Sequence, residues 1–136
     1  MTFKQIIGLF TLCSSPFLFA APPSITTSAQ HEECLTSTRP VIILYTNPAR
    51  CAPCRALEPI FNKAALTYTD IDFYVVNTNT QALQTTLKNI GIQSIPTIVF
   101  NYNKKSIMRT VGRLTEADLK NKILSFKTQL PRFNKA

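Results

Sequence analysis

Two cysteines separated by two residues lie where an apolar segment gives way to an amphipathic one, and this junction limits the fold more than any other feature of the sequence. The segment 41–45 is short and rich in β-branched residues, which predicts a buried strand. A helix is predicted to begin close to Cys51, because apolar residues then recur at the spacing of one helical face: Leu57, Ile60, Phe61 and Ala64.

A cysteine at the amino end of a helix is suited to act as a nucleophile. Unpaired backbone N–H groups and the positive end of the helix dipole favour an anion there, and the thiolate is the form of cysteine that attacks a disulfide. Arg50 and Arg55 flank the pair and add positive charge. The pattern therefore favours redox chemistry at Cys51 and Cys54.

Other roles for a Cys-x-x-Cys pair stay open on these residues alone. The pair could be half of a zinc site, although structural zinc usually takes four ligands, no second pair exists, and the only histidine, His31, stands in a polar N-terminal segment. It could also be a permanent structural disulfide or two unpaired core thiols. We expect neither a metal site nor a bound cofactor.

Residues 1–20 have the pattern of a secretory signal peptide. A basic start is followed by a mostly apolar stretch at 6–12, and cleavage is expected after Ala20. A membrane anchor is disfavoured, because Ser14-Ser15-Pro16 interrupts a stretch already shorter than the roughly 20 apolar residues of a membrane span. Lipid modification of Cys13 is disfavoured by the large residue before it. The sequence thus predicts an exported protein, periplasmic or secreted.

The cysteine count becomes odd after export. Of the four cysteines, removal of the signal takes away Cys13 and leaves three. If Cys51 pairs with Cys54, Cys34 is left over, either as a free thiol or as the partner of another molecule. An incidental, partly buried cysteine in a short N-terminal helix is the favoured interpretation.

The chain is basic, with a net charge of +8 that falls to +7 once the signal is removed. The surplus is concentrated late in the chain and predicts a solvated basic face, since no nucleic-acid motif accompanies it. No nucleic-acid partner is expected. The remaining chain of about 115 residues suits one domain, and we expect a monomer.

The rest of the chain alternates strands and helices. The predicted elements are a strand at 71–77, a helix at 81–90 ended by Gly91, strands at 97–101 and 106–111, and a capped helix from 115 to 128. This order predicts an α/β fold whose sheet has helices on both faces. The predicted division is a signal at 1–20, a loose lead-in at 21–38 with a short helix near 29–35, a domain at 39–130 and a basic tail at 131–136.

From about residue 39 to 126 the sequence resembles the thioredoxin family. The features that carry the resemblance are Cys51-Ala52-Pro53-Cys54 after a strand, Pro59 inside the following helix, Gly91, the Ile95-Pro96-Thr97 turn, and Gly112 before the last helix. The resemblance implies a thioredoxin fold with a central mixed sheet and a redox-active Cys51–Cys54 disulfide. It assigns Cys51 as the nucleophile and Cys54 as the resolving cysteine. It also implies that Pro96 is a cis-proline against the pair, and that Ile95 offers backbone hydrogen bonds to an extended substrate.

The chain departs from the family pattern at three positions. It has no tryptophan, and Arg50 stands where thioredoxins have one before the first cysteine. Tyr45 stands where the family has a buried acid that assists proton transfer, and Val75 falls near the usual lysine neighbour of that acid. The familiar proton acceptor is therefore missing, and water or another group is expected to take the proton from Cys54.

The resemblance extends to exported thiol–disulfide oxidoreductases of the Dsb type. The expected activity is to reduce or reset disulfides in other cysteine-containing exported proteins, with a membrane redox partner that restores the dithiol. Ala52-Pro53 resembles the Gly-Pro of reducing thioredoxins and lacks the histidine of oxidases and isomerases, whereas Arg50 and Arg55 act in the opposite direction because nearby cations favour a thiolate. The alternatives are a thiol oxidase or, from a different class, a redox-inactive binding module or a copper(I) carrier.

Overall fold

The computed structural model describes residues 21–131, so the predicted signal peptide, with Cys13, and all but the first residue of the predicted tail lie outside the described residues. The described residues form five strands and four helices, with a short 3-10 turn, Gln81–Leu83, before the third helix. In chain order these elements are β1 (Ser24–Ile25), α1 (Ser28–Leu35), β2 (Val41–Thr46), α2 (Ala52–Thr67), β3 (Asp72–Asn77), α3 (Gln84–Asn89), β4 (Thr97–Tyr102), β5 (Lys105–Val111) and α4 (Glu116–Thr128).

The five strands form one mixed sheet in the order β1-β3-β2-β4-β5. β3 runs parallel to both β1 and β2, whereas β4 is antiparallel to its neighbours β2 and β5. Tyr45 lies opposite Thr97 in the register of β2 and β4. The end of β2 that leads to Cys51 therefore lies beside the start of β4, which follows Pro96.

Each face of the sheet is covered by two helices, and β2 contributes to both cores. Ile42 and Leu44 pack on the side of α2 and α4, while Ile43 and Tyr45 pack on the side of α1 and α3. All six residues of β2 are buried, which is why this strand is continuously apolar in sequence rather than alternating. The predicted α/β fold with helices on both faces of the sheet is confirmed.

The sheet has one strand more than the sequence predicted. β1 comes from the lead-in: the N–H of Val75 donates to the Pro23 carbonyl at 3.0 Å, and Ile25 is only 3 % exposed. Two residues are too few to show a hydrophobic period, so the Ser- and Thr-rich composition concealed the strand. The lead-in is further fixed by α1, whose capping box links Thr27 and Gln30.

The segment predicted as a helix at 81–90 is the 3-10 turn followed by α3. Gly91 ends this segment as predicted, with φ of +69°, a backbone conformation that favours glycine. No helix formed by residues 21–131 combines the length and the apolar character needed to cross a membrane.

Candidate active site

Cys51 is the N-cap of α2, directly after the turn that leaves β2. Its backbone is extended, with φ of −134° and ψ of 103°, and its sulfur accepts a hydrogen bond from the N–H of Cys54 at 3.2 Å. Pro53 lies in the first turn of the helix, where its missing N–H costs no helical hydrogen bond. The sequence at this junction therefore sets where α2 begins. The start of the helix places the N–H of Cys54, which has no partner within the helix, against the sulfur of Cys51.

Cys51 and Cys54 form a disulfide, with Cα atoms 5.2 Å apart. The two sulfurs are in different environments: the side chain of Cys54 is fully buried at 0 % exposure, whereas Cys51 is partly exposed. A partner molecule can therefore reach only the sulfur of Cys51. This asymmetry suits a division of roles in which Cys51 makes the intermolecular bond and Cys54 the intramolecular one.

The segment before β4 lies against the cysteine pair. The Ile95–Pro96 peptide bond is cis, as the family resemblance implied, and the Ile95 carbonyl oxygen lies 4.0 Å from the Cys51 sulfur. Two hydrogen bonds hold this turn: the Thr97 hydroxyl donates to the Ser94 carbonyl at 2.6 Å, and the N–H of Gly112 donates to the Pro96 carbonyl at 2.8 Å. The structure thus brings Ile95 and Pro96 to the cysteines, as the family resemblance implied.

Arg109 on β5 anchors the start of the same segment. Its guanidinium donates to the carbonyls of Ile90 at 2.8 Å and Gly91 at 3.0 Å, and so satisfies backbone oxygens at the end of α3. Arg109 is a residue of the site that the sequence did not predict. Arg109 reaches Ile90 and Gly91, about twenty positions earlier in the chain, only because β5 pairs with β4. No local sequence pattern indicates that contact.

The four predicted modulating residues, Arg50, Ala52, Pro53 and Arg55, lie together around the cysteines and are exposed. The Arg55 guanidinium donates to the Pro48 carbonyl at 2.7 Å, which ties the first turn of α2 to the turn before Cys51. Both arginines are in contact with solvent, where screening weakens their effect on a thiolate.

Tyr45 does not substitute for an acid beside Cys54. It packs on the α1 and α3 side of the sheet, and its hydroxyl makes a hydrogen bond of 2.8 Å with Nε2 of His31. Burial raises the pKa of Tyr45 far above its ordinary value and lowers that of His31. The residue opposite Tyr45 on β3 is Val76, one position beyond Val75. No carboxylate or amine takes the place of the missing acid and lysine on these two strands.

Cys34 is buried in α1 and unpaired among the described residues. Its thiol donates to the His31 carbonyl at 3.0 Å, and burial, together with the nearby Glu33, raises its pKa to about 11. Cys34 thus lies in the short N-terminal helix that the sequence predicted, as a free thiol that is more completely buried than expected. Within residues 21–131, no group of three or more His, Cys, Asp or Glu side chains is arranged to hold a metal ion.

Comparison with known proteins gives one consistent result. The family model for thioredoxin matches residues 22–125. The chain is 34 % identical over 91 residues to a thioredoxin of Griffithsia pacifica, a match that covers 67 % of this chain and 82 % of the relative. It is 41 % identical over 90 residues to a thioredoxin of Borreliella burgdorferi, which covers 65 % of this chain and 74 % of the relative.

The solved structures agree with the sequence relatives on the fold. Malassezia sympodialis thioredoxin superimposes with a TM-score of 0.69 at 24 % identity, covering 78 % of this chain and 90 % of that one. Thioredoxin from Trypanosoma brucei brucei gives a TM-score of 0.71 at 14 % identity, covering 82 % and 95 %. The matched family model, the sequence relatives and the Cys51–Cys54 pair together show that this chain belongs to the thioredoxin family of disulfide oxidoreductases.

Proposed function

We propose that this oxidoreductase is an exported reductase, which reduces or resets disulfides in other exported proteins. The observation that carries the proposal is the turn between the cysteines: Ala52 and Pro53 hold no titratable group, and no histidine lies there to stabilise the Cys51 thiolate. A less stabilised thiolate makes the dithiol a stronger reductant. Arg50 and Arg55 oppose this effect, but both are exposed, so water and salt weaken them.

The reaction is a pair of thiol–disulfide exchanges. The thiolate of Cys51 attacks one sulfur of a partner disulfide, the S–S bond of the partner breaks, and its other sulfur leaves as a thiolate that takes up a proton. Cys54 then loses its proton and attacks the sulfur of Cys51, which releases the second partner thiol. The partner gains two electrons and two protons, and Cys51 and Cys54 are left as the disulfide.

Proton transfer from Cys54 takes place without the usual acid. The hydroxyl of Tyr45 is engaged with His31 on the opposite side of the sheet from α2. We propose that water entering beside the partly exposed Cys51 accepts this proton. We therefore expect the second exchange to be slower at neutral pH than in thioredoxins that keep the acid.

The proposed location outside the cytoplasm depends on residues 1–20. Their basic start, apolar stretch and small residue at position 20 support cleavage by a signal peptidase. An oxidising compartment does not supply thiols, so a membrane partner that delivers electrons would restore the dithiol. N-terminal sequencing of the protein recovered from the periplasm of a bacterial host tests this step. A mature chain that starts at Ala21 supports it, and an intact N-terminus in the cytoplasm contradicts it.

The reduction potential of the Cys51–Cys54 pair tests the direction of the reaction. Equilibration with graded glutathione buffers should give a value near the roughly −270 mV of thioredoxin. A value near about −120 mV would show that the arginines dominate and that the protein is a thiol oxidase.

A trapping experiment separates exchange chemistry from the alternatives of another class. Replacement Cys54→Ala should leave mixed disulfides between Cys51 and partner proteins, because the second exchange is then blocked. Replacement Cys34→Ala is the matched control and should trap nothing, because Cys51 and Cys54 are both retained and the second exchange still releases the partner. A binding module or a copper(I) carrier would give no such adducts with either variant.

A further inference from the structure

A pocket of about 400 Å³ opens beside the residue that faces the Cys51 sulfur. Leu87 and Ile92 supply apolar surface, and Gln84, Gln93 and the amine of Lys88 are the larger polar groups around it, with Ile95 at the cysteine end. Lys88 is the only charged residue among those that line it. Such a pocket suits a side chain with a short apolar stem and an anionic head.

Two further cations are next to residues of the site in sequence. Arg50 precedes Cys51, and Arg113 follows Gly112, whose N–H is bonded to the Pro96 carbonyl. Arg50, Lys88 and Arg113 thus stand on three segments that adjoin the cysteine pair or the Ile95–Pro96 turn. No acid within residues 21–131 forms a salt bridge with any of them.

Four of the seven acidic residues are engaged elsewhere in the molecule, and two of the others, Glu32 and Glu33, lie on α1. The salt bridges formed by residues 21–131 join Arg39 to Asp72, Lys63 to Glu116 and Lys127 to Asp70, and Asp118 is held in the capping box of α4. Asp72 begins β3 at the end of the sheet opposite the cysteines. Of the described acids, Glu58, one turn beyond Cys54 on α2, is alone close to the site in sequence.

From this arrangement we propose that the enzyme selects disulfides whose flanking residues are acidic, and that the pocket beside Ile95 receives one of those side chains on Lys88. The proposal rests on the proposed exchange function, because it concerns the partner of that same site. Opposite charges at an exposed surface speed the encounter between two molecules, and each exposed ion pair increases the binding constant roughly 1.4- to 5-fold. Salt screens both effects.

Disulfide-linked peptides test the proposal. Three peptides carry one cysteine with Glu, Gln or Lys at the two positions on either side, and each is oxidised to its dimer. Reduction by the purified, reduced protein is followed by acid quench and thiol alkylation. Each rate is divided by the rate with dithiothreitol, which removes differences in the intrinsic reactivity of the disulfides. At about 20 mM ionic strength the Glu peptide should react about tenfold faster than the Lys peptide, and at about 0.5 M salt about twofold faster.

Two charge reversals locate the effect. Lys88→Glu should lower the ratio of the Glu to the Lys peptide about fivefold, whereas Lys105→Glu, with the same change in net charge at the far end of β5, should leave the ratio unchanged. Lys88→Gln should give an intermediate ratio. Both lysines are exposed, so neither substitution disturbs the core.

The outcomes separate this proposal from the function on which it rests. If none of the peptides is reduced, both fail. If all are reduced at the same corrected rate, or if Lys105→Glu lowers the ratio as much as Lys88→Glu, only the acidic preference is overturned. A membrane role would show as binding to phosphatidylglycerol vesicles that Lys88→Glu abolishes, together with equal rates for the three peptides. That pair of results would overturn the preference for acidic partners.

Discussion

Replacement Tyr45→Phe measures how much the buried His31–Tyr45 hydrogen bond stabilises the fold. The two residues are 3 % and 1 % exposed, and their polar atoms are 2.8 Å apart. Phenylalanine preserves the packing but leaves Nε2 of His31 without a partner in the interior. An unsatisfied buried group of this kind costs about 1–3 kcal/mol, so we expect a loss of about 2 kcal/mol in the free energy of unfolding.

Urea denaturation followed by far-UV circular dichroism is the suitable assay, since the chain has no tryptophan for fluorescence. With a slope of about 2 kcal/mol/M, the midpoint should fall by about 1 M without a change in slope. Tyr74→Phe on β3 is the matched control: the Tyr74 hydroxyl makes no hydrogen bond within residues 21–131, and its loss should change stability by less than about 0.5 kcal/mol.

A double-mutant cycle with His31→Leu decides whether the hydrogen bond is the cause. Once His31 is gone, Tyr45→Phe no longer leaves an orphaned nitrogen, so the two losses should not add, and the coupling should exceed about 0.5 kcal/mol. Additive losses would refute the argument. The same variant tests the role of Tyr45 in exchange: because its hydroxyl lies on the other side of the sheet from α2, Tyr45→Phe should change the rate of disulfide reduction by less than about twofold at 25 °C.

Three further predictions follow from individual contacts. Burial lowers the pKa of His31, against a smaller opposing effect of Glu32, so the folded protein binds a proton at His31 less readily than the unfolded chain does. The free energy of unfolding should therefore be highest above about pH 6.5 and should fall below that pH by at most about 1.4 kcal/mol per pH unit. Denaturation measured at several pH values should show this fall in the native sequence and lose it in His31→Leu. Gly91→Ala should lower the free energy of unfolding by about 1 kcal/mol, because an alanine is strained at a φ of +69°. The new Cβ itself would have room, at 3.8 Å from Arg109, and an unchanged midpoint of thermal unfolding would contradict the prediction. Thr115→Ala should cost about 1 kcal/mol, since its hydroxyl accepts from the N–H of Asp118 at 3.1 Å, and Thr115→Ser should restore most of that loss.

The features that could be predicted from the sequence are those that depend on residues close together in the chain. The position of Cys51 at a helix start follows from a short apolar strand and from the spacing of Leu57 and Phe61, which lie four residues apart and are both 0 % exposed. The end of the 81–90 segment follows from Gly91, whose positive φ a glycine adopts without strain. Each of these patterns spans only one or two helical turns, so it can be recognised without knowledge of the tertiary packing.

The features that the sequence did not predict depend on contacts between distant segments. β1 is defined by its pairing with β3, about fifty residues away, and two residues carry no period of their own. Arg109 reaches the end of α3 only through the β4–β5 pairing, and Tyr45 meets His31 only because α1 packs on one particular face of the sheet. A hydrogen bond between remote side chains leaves no trace in spacing or composition.

The burial of Cys34 has a consequence for how the protein acquires its disulfide. In the unfolded chain, the three cysteines of the described region allow three pairings, and only Cys51 with Cys54 is native. Once α1 docks, the thiol of Cys34 lies at 6 % exposure and beyond the reach of oxidants, so the two wrong pairings are closed. Docking of α1 thus protects the native pairing, because it removes Cys34 from competition with Cys51 and Cys54.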